Sequence, residues 1–66
     1  MSTLDTAIKA AAQIIVDAAL QQMADKAETT VETIAHTIAS DPNGATAKYF
    51  AGLVRIGMRE AREALA

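Results

Sequence analysis

The residues able to do chemistry gather around the single histidine. His36 lies four positions after Glu32, and Asp25, Glu28, Glu32 and His36 follow one another at spacings of three, four and four. On one continuous helix that spacing places three carboxylates and an imidazole on a single face, a donor set that suits a divalent cation. Two features argue against a metal site. The face lies opposite the apolar stripe that runs from Val16 to Ile38, as a solvated acidic face with a surface histidine would. The spacing is also Glu-x-x-x-His, where di-metal bundles use Glu-x-x-His. Nucleophilic catalysis would need a serine or cysteine within reach of His36 and a third group to orient the ring. Ser40 and Asp41 are near in sequence, but at a helix end a capping or turn role explains both. Gly52 and Gly57 sit inside a helical stripe with no strand before it, so they do not form a phosphate loop, and close helix packing is the reason expected for both. No catalytic residue, metal ligand or cofactor follows, and the expectation is a non-enzymatic protein.

The second chemical feature is charge. Up to Asp41 six acids (Asp5, Asp17, Asp25, Glu28, Glu32, Asp41) stand against Lys9 and Lys26; beyond it Lys48, Arg55, Arg59 and Arg62 stand against Glu60 and Glu63. The balances of −4 and +2 sum to the net −2. At helical spacing the four later cations fall within about 60° of one another, opposite Phe50 and Gly57. Such a ridge can contact phosphates, which makes a small nucleic-acid-binding regulator the alternative reading. The acidic pI of about 5.1, the absence of interleaved aromatics and the edge acids Glu60 and Glu63 favour instead a solvated ridge, or one that pairs with the acidic first half of another chain. Tyr49 and Ile56 flank the ridge. Arginine and tyrosine are enriched where proteins bind one another, so Tyr49, Arg55, Ile56, Arg59 and Arg62 are the residues expected to bind a partner protein.

The elements that must position these groups are helices. The chain has 16 alanines, one proline, three glycines and no tryptophan, a composition that favours helix over sheet. Ser2 with Asp5 resembles a capping arrangement, so a helix starts near Thr3. From there to Ala39 no glycine or proline intervenes. Leu4, Ile8, Ala11, Ile15 and Ala18 mark one stripe, and Val16, Leu20, Met23, Ala27, Val31, Ile34 and Ile38 mark another about 120° away. The stripes require different packing partners or a break, for which Asp25 to Thr30 is the candidate, with Thr29 and Glu32 as a capping box. Ser40-Asp41-Pro42-Asn43-Gly44 is the one strong stop, where Asp41 can cap a helix that begins at Pro42. The expected fold is all-α: a helix over about 3–39, continuous or broken near 25–30, and another over 42–64, closing as a helical hairpin or three-helix chain. A helix-turn-helix over Val31 to Gly57 fits poorly, because the turn is too long and Lys48 falls where an apolar residue is needed.

Size then points to assembly. A chain of 66 residues is one domain at most and hides only about 60% of the surface its unfolded form exposes. It has no cysteine and one histidine, so neither disulfides nor a four-ligand zinc site reinforces it. Beyond alanine there are 18 larger apolar side chains, of which only Tyr49 and Phe50 are aromatic. The stripe Phe50, Leu53, Val54, Gly57, Met58, Ala61 and Leu65 is expected to close the hairpin. That leaves Leu4, Ile8, Ala11, Ile14 and Ile15 as the surface of a helical-bundle homodimer. The longest apolar run, Tyr49 to Val54, is far short of the roughly 20 residues of a membrane span, and the N-terminal pattern does not suit a signal peptide. Cytoplasm is the default compartment, with no membrane association expected.

Overall fold

The computed structural model describes residues 3–65, with side chains described through residue 64. Three helices follow in order: α1 Thr3–Lys26, α2 Val31–Ser40 and α3 Ala45–Leu65, with no strand among the described residues. The capping role read for Ser2 lies outside that range. Asp5 occupies the first turn of α1, where its charge complements the helix dipole.

The long first segment breaks, and its break has a definite geometry. Thr29 N–H donates to the Ala24 carbonyl at 2.9 Å and Glu28 N–H to the Asp25 carbonyl at 3.3 Å. This pair of bonds is a Schellman motif, and it requires a left-handed residue, which is Glu28 at φ 55°. Because the Thr29 N–H is committed to closing α1, the next helix is capped one residue later than the Thr29–Glu32 spacing implies. Thr30 is extended (φ −103°, ψ 158°), and its side chain accepts from Thr33 N–H at 3.2 Å. The break also separates Asp25 and Glu28 from Glu32 and His36, so these four residues do not share one helix face.

The second turn departs from the expected 42–64 helix as well. Asp41 is the C-cap of α2, donating its N–H to the Thr37 carbonyl at 3.0 Å. Gly44 N–H then donates to the Asp41 carbonyl at 3.0 Å, closing a β-turn, and Lys48 N–H donates to the Gly44 carbonyl at 3.1 Å. Pro42 is therefore the second residue of a turn, a position its fixed φ suits, and Gly44 takes the N-cap place of α3. Neither Asn43 nor Gly44 has a positive φ, which matches a type I turn and not type II.

α1 and α3 pack antiparallel. Ile15 lies against Gly57, where an added Cβ would come within 2.6 Å of Ile15 Cγ2. Toward one end Lys26 Nζ sits 5.7 Å from the Tyr49 ring centroid, and toward the other Ile8 and Ala11 adjoin Met58 and Ala61. The core centres on Met23, Ala24 and Ile34, with Leu20, Val31, Ile38, Phe50 and Leu53 packed against it. Among the described residues five are buried, namely Ala19, Met23, Ala24, Ile34 and Ala47, and no large side chain is fully enclosed. α2 has ten residues against 24 in α1, so it is about 15 Å long beside about 36 Å. It covers one side of one end of the α1/α3 pair and leaves the rest two helices thick.

Candidate interaction surface

The side of the α1/α3 pair that α2 does not cover carries exposed apolar bulk. Among the described residues, the large hydrophobic ones left in solvent are Leu4 (58% exposed), Ile8 (40%), Ile14 (68%), Tyr49 (46%) and Ile56 (48%). Ile14 and Ile56 line one groove with Ala18, Leu53 and Gly57, and every residue of that groove belongs to α1 or α3. Ile14 lies nine residues from Met23, a rotation of about 180°, and so points away from the core. On α1 Leu4, Ala7, Ile14 and Ala18 are exposed with Ala11 half-buried among them, at spacings of three and four. On α3 Ala45, Tyr49 and Ile56 are exposed with Gly52 half-buried among them, at spacings of four and three. Alternation of this kind holds a seam on one side of a helix. Tyr49 lines a separate hollow near the α1 C-terminus, with Met23, Lys26 and Ile34 of α2.

One residue of each surface expected from the sequence, Ile14 of the assembly segment and Ile56 of the partner patch, lines the same groove, whereas Leu4 and Tyr49 are exposed outside it. Ile15 and Ala11 differ from that expectation. Both are half-buried; Ile15 is the residue Gly57 makes room for, and Ala11 lies between the groove and the Met58 side. Ile15 is therefore part of the intramolecular packing and is not spare surface. Ile8 is exposed at its edge but turned toward Met58 and Ala61. Of the glycines, Gly57 has the packing role expected of it and Gly52 does not, since a Cβ there would meet nothing within 4 Å.

Exposed charges of opposite sign stand on the two helices, mostly acidic on α1 and mostly basic on α3, where Glu60 lines the groove itself. Asp17 and Asp25 are exposed on α1, held by Gln13 Nε2 at 2.9 Å and Gln21 Nε2 at 2.8 Å, each one turn earlier. Lys48, Arg55 and Arg59 are exposed on α3, as is Arg62 further along, near Met58. At the other candidate site, His36 Nε2 is 3.5 Å from Ser40 Oγ, and both side chains are exposed. Among the described residues no group of three His, Cys, Asp or Glu side chains is placed to hold a metal ion. No described helix is long and apolar enough to cross a membrane. No protein family, curated protein or solved structure matches the chain.

The position of Ile14 was hidden in the sequence by a choice of register. The pattern Leu4, Ile8, Ala11, Ile15, Ala18 follows the side turned toward α3, and Ile14, about 100° from Ile15, falls outside it on the open side.

Proposed function

We propose that the chain is a small non-enzymatic helical interaction module that acts as a homo-oligomer, and that its open α1/α3 face is the binding surface. The observation that carries this reading is the pair Ile14 and Ile56, two of the large hydrophobic residues exposed among those described, which line one groove built only from α1 and α3. Monomeric proteins rarely expose a contiguous apolar patch larger than a few hundred Å², and larger ones mark interaction sites. A helix layer with one bare side is stable when a second layer covers it. Arg55 and Arg59 then stand at the rim, where charge governs which surfaces approach and in what register.

Sedimentation analysis across a range of concentrations tests the reading. The wild-type chain is expected at a multiple of 6.9 kDa, and Ile14→Asp or Ile56→Asp is expected to dissociate it with helix content retained. A wild-type chain that stays at one copy at every concentration would sink it. The exposed ridge of Lys48, Arg55, Arg59 and Arg62 is the observation behind a second reading, a nucleic-acid-binding regulator. Its mark is oligonucleotide binding at about 50 mM salt that weakens steeply as salt rises; no binding at that salt eliminates it.

A further inference from the structure

The open face has both the size and the charge pattern to receive a second copy of this chain in one particular orientation. A folded monomer of this mass exposes about 4,000 Å² by the usual scaling of surface with mass, whereas this chain exposes 4905 Å². The excess is about 900 Å², close to the roughly 800 Å² each partner buries in a standard interface. The radius of gyration agrees: 13.1 Å, against about 11 Å for a compact chain of this length. The surplus surface matches what one more layer of the same helices would cover.

Two ways of stacking the layers face to face must be compared. With a two-fold axis perpendicular to the helices and in the plane of the face, α1 would lie on the partner's α1 and α3 on the partner's α3. Asp17 and Asp25 would then edge a seam with their own kind, and so would Lys48, Arg55 and Arg59. With the axis parallel to the helices, α1 lies antiparallel along the partner's α3, acidic edge on basic edge. This axis also keeps every residue at its own level along the bundle. Ile15 is level with Gly57 and Lys26 with Tyr49, so Asp17 is level with Arg55, and Asp25 with Lys48. The same level brings Ile14 within about a helical turn of the partner's Ile56.

Resting on the self-association proposed above, we propose that two copies pair about a two-fold axis parallel to the helices. They form an antiparallel four-helix layer pair in which Asp17 faces Arg55 of the partner subunit and Asp25 faces Lys48 of the partner subunit. The arrangement is isologous, so each charge pair occurs twice.

Charge exchange tests the orientation. In Asp17→Arg alone, and in Arg55→Asp alone, both copies of the pair become like-charged, and each variant is expected to self-associate about tenfold more weakly than wild type. Mixed in equal amounts, the two variants form a heterodimer in which both pairs are opposite in sign, and wild-type affinity is expected to return to within about threefold. Sedimentation equilibrium reads both quantities, with circular dichroism checking that each variant is folded. If wild type dimerises but mixing restores nothing, the orientation is wrong and the self-association stands. If wild type is a monomer, both are overturned. Should either variant lose its helix content, Asp25→Lys with Lys48→Asp gives the same test through the other pair, with the same outcomes deciding it.

Discussion

Glu28 is the one described residue other than glycine held in the left-handed region, at φ 55°, and replacing it with glycine should stabilise the protein. The Schellman bonds of Thr29 and Glu28 to the end of α1 fix that conformation, which costs a residue with a Cβ about 1–2 kcal/mol. Glycine escapes this cost but loses about 0.5–1 kcal/mol more backbone freedom on folding. The net gain for Glu28→Gly is therefore up to about 1.5 kcal/mol and centres on about 0.75 kcal/mol, or about 3–6 °C in the melting midpoint of a domain this small. The carboxylate enters separately, because it sits at the negative end of α1 and just before the positive end of α2, two opposed effects of about 0.3–1 kcal/mol each. Glu28→Ala removes the charge and keeps the backbone demand, so it should stay within about 0.5 kcal/mol of wild type. Thermal melts of all three proteins at one fixed concentration decide the matter. If Glu28→Gly is no more stable than Glu28→Ala, the left-handed turn does not close α1.

Thr30→Ala removes the side-chain acceptor of Thr33 N–H and should cost about 1 kcal/mol in urea unfolding, whereas Thr29→Ala should cost less. Gly57→Ala forces a methyl against Ile15 Cγ2, a branch that is stiff in a helix. The strain of about 1–3 kcal/mol outweighs the propensity gain of about 1 kcal/mol, so a lower midpoint is expected. Gly52→Ala meets nothing and should gain up to about 1 kcal/mol from propensity alone. Ile14→Asp and Ile15→Asp, adjacent in sequence, should part company: the first weakens association with helix content intact, and the second reduces helix content by placing a charge against Gly57. Equal loss of helicity in both would show that Ile14 is not on an open face.

What the sequence made legible follows the strength of its local signals. The all-α class and a last helix could be read from composition and spacing, with residues 3–39 readable as one helix or two, and the strongest punctuation, Ser40 to Gly44, does separate two helices. Its internal geometry could not be read, because Asp41 serves two candidate roles. Once its N–H closes α2, the four residues from Asp41 make a turn, and α3 starts at Ala45. The first break had only a soft signal, since no glycine marks it and a glutamate takes the left-handed place. Two adjacent threonines can each cap a helix, and the choice of Thr30 depends on where α1 ends, which is a fact about Thr29's backbone and not its side chain. Ile14 and Ile15 are likewise separated by only about 100° of rotation. Which one turns inward depends on Gly57, 42 residues further along, and contacts of that separation leave no trace in local spacing.

Under the proposed self-association, the thinness of the core would tie folding to assembly. Three of the five buried residues are alanine, which adds little apolar area, and the end of the α1/α3 pair beyond α2 has no third helix to pack on. If a second copy covers the open face as proposed, it adds the missing layer to both chains at once, and the melting midpoint then depends on concentration. For a dimer that unfolds to two chains, each tenfold dilution costs about 1.4 kcal/mol per dimer, or about 0.7 kcal/mol per chain, which lowers the midpoint by about 3–6 °C. Ile14→Asp should melt at a lower temperature that no longer changes with dilution, since it removes association and spares the Met23, Ala24 and Ile34 core. A wild-type midpoint unchanged over a hundredfold dilution would mean that the two-helix layer is stable with its face bare, and that burial of this surface contributes nothing to holding the fold.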